Sequence, residues 1–411
     1  VTVPDVGSSL TDEQVRAVLR QMDAALGQGD VEAYLQHVDP SLEPAQRAWF
    51  AAVHAVPMDV RQIRLDSVVS RNSSEGTVAH VGLRHQITGG DPEPLLEQYR
   101  WVFAQDGDGP VRLVASTGRN GALFGHPQVW DRGEPVAVLE GDHVLVLAPE
   151  GSRAEAELLL DTLDLAAGRS LETLTFLARG REVLVVHLVG AELLEEATGV
   201  AESPTGEQLL KVSPDEIPWD APRLTGTDTP VASRLLLDVD LAVDDLSELG
   251  ASPGGHTSLR YVAAASALWG DDVNLWPQGW VVEGVSNWWS AAEDPHFLDS
   301  LRIQVGEHHR GSGPPATLPV VPDLSDPDSV DAFTLESVSL ALHVAEVHGQ
   351  SALIDLAGRL VLLDSRYDEK GIESAYVDVL ELGQDELLQQ WAAWSGQLAE
   401  SVDGSLPPPT V

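Results

Sequence analysis

The chain has no cysteine, only two methionines, and only two lysines, Lys211 and Lys370, in 411 residues. Without cysteine there can be no disulfide, no thiolate zinc site and no cysteine nucleophile. Basic charge is scarce throughout: 24 Lys and Arg stand against 65 Asp and Glu, for a net charge of −41. Such a surface repels polyanions, which excludes nucleic acid or anionic lipid held by a basic patch. No apolar run approaches the roughly 18–20 residues needed to span a bilayer, so no transmembrane segment is expected. Aromatic residues make up only 5%, yet the hydrophobic share of 43% is that of a folded protein and too high for an intrinsically disordered one.

What positive charge exists is almost all arginine, the composition of a GC-rich or salt-adapted source. A functional acidic surface that collects Ca²⁺ or a basic partner is the alternative. The acids Asp323, Asp326, Asp328 and Asp331 do not follow the spacing of an EF-hand loop and read as a solvated loop. The chain opens at Val1 rather than Met, which fits either a trimmed chain or a mature form whose signal or anchor has been removed. An extracellular or cell-envelope location is the corresponding expectation. Residues 1–10 read as an N-terminal extension. Residues 401–411, with Pro407, Pro408 and Pro409, read as a Pro-rich disordered tail.

A first domain is expected over residues 11–120. Thr11 before Asp12 and Glu13 is a helix start, and Val15, Val18, Leu19, Met22 and Leu26 form one helical face. Short helices around Val31–Val38 and Pro44–His54 follow. The segments Val60–Ser70, Gly76–Thr88, Glu97–Gln105 and Val111–Thr117 then alternate as strands of one curved antiparallel sheet. This order resembles the NTF2-like cone fold, whose interior can hold a ligand or a catalytic pair. His80, His85, Tyr99 and Trp101 are the candidates for that interior. His80 and His85 are five apart and must face opposite sides of a regular strand, so a filled, structural cone is favoured over a pocket.

From residue 128 to 400 the layout changes to a small sheet followed mostly by helices. Val136–Leu147 reads as a hairpin turning at Glu140–Asp142, and Arg153–Leu177 as a long helix. Glu182–Val189 and Ser233–Val243 read as strands. Helices are predicted at Ala191–Ala197, Leu259–Leu268, Val281–Ala292, Ala332–Glu346, Ser351–Leu362 and Asp385–Leu398.

Within this half, Arg260-Tyr261-Val262-Ala263-Ala264 is followed after eighteen residues by Glu283. That is the spacing of the HExxH-x18-E motif, in which two histidines one turn apart and a later glutamate hold zinc, and the first glutamate is the general base. With the strand–helix order, the entry segment Trp130–Val136 and the closing stretches Phe333–Leu353 and Glu381–Trp394, it resembles the peptidase MA-like (gluzincin, thermolysin-like) domain of actinobacterial envelope proteins. The resemblance implies a fold in which Arg260, Tyr261 and Ala264 occupy the ligand and base positions. Arg260 stays cationic, Tyr261 has a reference pKa of about 10, and Ala264 carries no ligand atom. Glu283 alone matches a zinc ligand. Asn287 and Trp288 stand where the family usually has an acid and a tyrosine. No metal and no other cofactor is expected here, and an Arg260–Glu283 ion pair would stand in for the lost cation.

Alternative metal ligands read poorly. Glu307-His308-His309 looks like a Gly-flanked surface turn, and His343 and His348, five apart, should not share a helix face. The fold class is therefore α+β, an NTF2-like cone followed by a degenerate gluzincin-like domain with a mostly helical C-terminal half. The corresponding function is that of a non-catalytic pseudopeptidase, a binding or scaffolding protein whose former cleft takes a protein, peptide or glycan. Arg260, Tyr261, Trp276, Trp280, Glu283 and Trp288 are the candidate contacts. The alternatives are an active metal-dependent hydrolase with relocated ligands and a structural subunit of a larger assembly.

Overall fold

Thr11 opens the first helix with both halves of a capping box. Its hydroxyl accepts from the Gln14 N–H at 3.3 Å, and the Gln14 side chain accepts from the Thr11 N–H at 2.9 Å. In the computed structural model of this protein, that helix is α1 (Asp12–Gln28), with Val15, Val18, Leu19, Met22 and Leu26 all buried. The structure describes residues 10–73, 76–91, 94–118, 128–173, 182–190, 207–212, 232–240, 242–243, 279–292, 295–320, 327–361, 363 and 368–402. The expected helices at Ala191–Ala197 and Leu259–Leu268 lie outside these residues, as do both chain ends.

Helices α2 (Val31–Leu35) and α3 (Glu43–Ala55) follow, then β1 (Met58–Ser73), β2 (Gly76–Ile87), β3 (Leu95–Gln105) and β4 (Val111–Gly118). The four strands form one antiparallel sheet in sequence order, as the alternation predicts. Odd-numbered residues of β2 and β3 share the face that meets α1–α3. Ala79, Val81 and Leu83 lie there with Tyr99, Trp101 and Phe103, all in one apolar core with Tyr34, Trp49 and Phe50.

A 3-10 turn (Val129–Arg132) leads into β5 (Val136–Glu140) and β6 (Val144–Pro149), the expected hairpin, closed by Gly141 N–H to Val144 O at 2.8 Å. After α4 (Arg153–Thr173) come β7 (Leu184–Val189), β8 (Glu207–Val212) and β9 (Ala232–Asp238). The second sheet runs β5-β6-β7-β9-β8. Its centre is parallel and both edge pairs are antiparallel. The central strands β6, β7 and β9 are apolar apart from His187, Ser233, Arg234 and Asp238, the pattern of strands covered on both faces.

The remainder is helical: α5 (Gly279–Ala291), α6 (Pro295–Ser312), α7 (Pro327–Val347), α8 (Gln350–Val361), α9 (Glu369–Leu380) and α10 (Gln384–Ser401). The protein is thus α+β, with an antiparallel four-stranded sheet and a helical C-terminal half. By contacts the chain divides into two units. Residues 1–161 with 180–241 hold both sheets and α1–α3, and residues 162–179 with 242–411 hold the end of α4 and α5–α10.

Three elements depart from the sequence reading. Glu307, His308 and His309 belong to α6 rather than to a surface turn, and His309 is buried. Gly306, Gly311 and Gly313 made this segment look like a turn, because glycine costs a helix about 1 kcal/mol. Gly306 is there because any side chain would run into Val402, which caps α10, so tight packing outweighs its poor propensity. Helix α9 is the second departure. Glu381, expected inside a closing helix, ends α9 instead, in the left-handed conformation at φ 58°. Strand β8 is the third.

Candidate functional site

The first unit encloses a group of charged and aromatic side chains between its two sheets. Asp91, just after β2, accepts from the Ile87 N–H at 2.8 Å. The Arg234 guanidinium grips it twice, Nη1 to Oδ1 at 2.5 Å and Nη2 to Oδ2 at 2.8 Å. Both side chains are fully buried. A bidentate guanidinium–carboxylate pair satisfies two charges that could not be buried singly. It ties the end of β2 to β9, and so one sheet to the other.

His85 of β2 is also sealed. Its Nδ1 lies 4.0 Å from Asp91 Oδ2 and its Nε2 3.9 Å from Glu97 Oε1, both beyond hydrogen-bonding range. The ring stands edge-on to Trp130, with centroids 5.3 Å apart. Burial pushes its pKa down to about 4, with Asp91 opposing and Arg234 adding to the shift. His187 of β7, 6.4 Å from Trp130, is held well below the usual imidazole range by burial and then by Arg234 and His85. Both imidazoles are neutral at pH 7 and unsuited to act as acids there.

Glu97 of β3 is the unexpected member. Its Oε2 accepts from Trp130 Nε1 at 3.0 Å and lies 2.9 Å from the Tyr99 hydroxyl. That hydroxyl is also 2.8 Å from Asp131 Oδ1, which accepts from Trp49 Nε1 at 3.2 Å. Burial, then the nearby Asp131 charge, hold the Glu97 carboxyl well above the usual range. The group runs from Asp131, on the solvent-exposed 3-10 turn, to the sealed His85 and Arg234.

Of the sequence candidates for the cone, His85, Tyr99 and Trp101 face this interior. His80 faces away and lies 3.4 Å from the Ser67 hydroxyl. Asp91, Glu97, Asp131 and Arg234 were not singled out in the sequence. The available signal was a lone acid in Leu95-Leu96-Glu97 and a lone arginine before Leu235-Leu236-Leu237. Each is a charge in a run otherwise apolar enough to be buried.

In the second unit, Arg260, Tyr261, Ala264 and Trp276 lie outside the described residues. Trp280, Glu283 and Trp288 are on α5. Trp280 and Trp288 are only 1% and 2% exposed and pack in the helical core. The Trp280 side chain is hydrogen-bonded to Tyr376. Glu283 Oε1 accepts from Asn287 Nδ2 at 3.1 Å and from Thr334 Oγ1 at 3.2 Å. The partly buried Trp289 donates to the Ser170 hydroxyl at 3.3 Å.

His309 meets Ser339 of α7, with Nε2 to Oγ at 2.7 Å, and Trp391 of α10 donates to the same oxygen at 2.9 Å. With Nδ1 at 3.3 Å from the Gly313 carbonyl, the arrangement has the outline of a Ser–His pair. Ser339 is fully buried, however, and its oxygen already accepts from Trp391. It cannot reach a substrate, and the trio pins α6, α7 and α10 together. His343 and His348 do come together, with ring centroids 6.0 Å apart, against the sequence expectation. His348 follows the last residue of α7 and keeps a helical bond, its N–H donating to Val344 O at 2.9 Å, so the two rings meet through side-chain reach. A groove of about 630 Å³ opens beside them, lined by His348, Ser351, Asp355, Arg359, Asp378 and Val379. Arg359 spans part of it, donating to Asp378 at 2.8 Å.

Among the described residues no group of three or more His, Asp or Glu is placed to hold a metal ion, and no helix is long and apolar enough to cross a membrane. Comparison with family models, with curated protein sequences and with solved structures gives no match.

Proposed function

We propose that this protein is a non-catalytic pseudopeptidase of the cell envelope, a binding or scaffolding protein that carries an NTF2-like cone before a degenerate gluzincin-like domain. The observation that carries this reading is the state of Glu283. A zinc-ligating carboxylate needs an oxygen directed to the metal, and Glu283 has its Oε1 taken up by Asn287 on its own helix and by Thr334 on α7. Through that oxygen the acid joins α5 to α7. By their chemistry Arg260 and Ala264 offer no zinc ligand at the two histidine positions of the motif, and Tyr261 no general base at neutral pH. With Trp280 and Trp288 committed to the core, contact with a protein, peptide or glycan falls to Arg260, Tyr261 and Trp276.

Metal analysis of the purified protein tests this. The expected result is less than stoichiometric zinc after dialysis, with no peptide hydrolysis gained on adding zinc. One tightly held zinc per chain, removable by a chelator together with a hydrolytic activity, would favour the relocated-ligand hydrolase instead.

A further inference from the structure

A phenol has one proton to give, yet the Tyr99 oxygen lies within hydrogen-bonding distance of two carboxyl oxygens, Glu97 Oε2 at 2.9 Å and Asp131 Oδ1 at 2.8 Å. Ionised carboxylates only accept. If Tyr99 donates to one of them, the other contact needs a proton brought by the carboxyl itself. Glu97 is 3% exposed and held well above the usual carboxylate range, whereas Asp131 is an exposed residue whose carboxyl is pushed up only to about 6. Charge is cheaper to keep at the wet end, so the extra proton belongs to Glu97. The chain then reads in one direction: Glu97 O–H to Tyr99, Tyr99 O–H to the Asp131 carboxylate. The indoles of Trp130 and Trp49 donate to its two ends.

We propose that Glu97, Tyr99 and Asp131 form a proton-dependent latch that fastens β3 to the 3-10 turn leading into the second sheet, exchanging its proton with solvent through Asp131. The groups facing it from the surrounding elements cannot neutralise a second negative charge. His85 of β2 and His187 of β7 are neutral, and Arg234 of β9 is balanced by Asp91 after β2. Trp49 of α3 and Trp130 bring only neutral donors. Loss of the proton leaves Glu97 and Asp131 both charged across a single hydroxyl, and the attachment of β3 to the turn then weakens. The sign follows from linkage. The folded state holds a proton that the unfolded Glu97 has released, so stability declines as pH rises above the ordinary glutamate range. Below about pH 6.5 the buried histidines work in the opposite sense, and Asp131, whose carboxyl burial pushes up to about 6, titrates in the same window, so the latch is best read above it.

Urea unfolding followed by tryptophan fluorescence from about pH 6.5 to 9 tests this, with Trp49 and Trp130 of the latch among the eleven tryptophans that report. In the wild type the folding equilibrium constant should fall by up to about tenfold per pH unit, until Glu97 ionises in the folded state. Glu97→Gln, a permanently neutral and isosteric side chain, should abolish that decline. Asp131→Asn should shorten it, because removing the neighbouring charge lets Glu97 ionise earlier. A wild-type profile flat over this range, or the same decline in Glu97→Gln, would overturn the proposal. If Glu97→Gln does not fold, isotope-edited infrared spectroscopy of the wild type decides: a protonated-carboxyl C=O band at pH 7 is expected, and its absence overturns the latch.

Discussion

Arg234 and Asp91 are 143 residues apart in sequence and joined by two parallel hydrogen bonds inside the first unit, with neither side chain reaching solvent. Breaking one side of such a pair strands a charge in the core. Arg234→Met is expected to cost about 3–5 kcal/mol in urea unfolding, because Asp91 loses both guanidinium bonds. Adding Asp91→Asn to that variant should restore a large part of the loss. Equal destabilisation by the single and the double variant would mean that the pair acts mainly through packing.

His85 makes the first unit sensitive to acid. Its pKa is about 4 when folded and about 6.5 when unfolded, so the unfolded state takes up the proton first. Stability is then fully present above about pH 6.5 and is lost as pH falls toward 4, by up to about 3 kcal/mol for this one group. His85→Leu should retain that stability, most visibly when both proteins are unfolded in urea at about pH 5 and compared with their behaviour at pH 7. An unchanged difference between the two pH values would show that His85 does not titrate on unfolding.

Two serines two residues apart on α7 form a matched pair. Ser339→Ala removes the shared partner of His309 and Trp391 and should cost about 1–3 kcal/mol or more, since two buried groups lose a bond. Ser337, equally buried, has no side-chain hydrogen-bond partner in the structure, so Ser337→Ala should be neutral or slightly stabilising. Thermal melts of both variants check the contrast.

Gly284 sits where α5 presses on α7. A methyl group there would run into the Ser337 carbonyl, a backbone atom that moves only with its helix. Gly284→Ala should therefore destabilise by about 1–3 kcal/mol through overpacking, although alanine is the better helix former. Circular dichroism melts would show it. A stabilised variant would mean that the helices separate at little cost.

Periodicity made much of the architecture readable before any coordinates. The face Val15, Val18, Leu19, Met22, Leu26 and the Thr11 cap locate α1. The alternation in β2 and β3 locates the sheet, because burying one side of a regular element leaves a repeat in the chain. Helices α6 and α9 were not readable, since glycines and scattered charges there weaken the local signal that tertiary packing overrides. The pairing of His343 with His348 was hidden because residues five apart on a helix are offset around it, and only side-chain reach brings the two rings together.

The sequence by itself determined the chemistry that is excluded. No cysteine, almost no lysine and a charge of −41 are statements about atoms, true in any fold. Only the tertiary structure decided that Asp91 meets Arg234, that Glu97 and Asp131 share one phenol, and that Trp280 and Trp288 are core. Those contacts join residues up to 143 positions apart. Their energies depend on exclusion from water, a property of packed surroundings that no local stretch of chain carries.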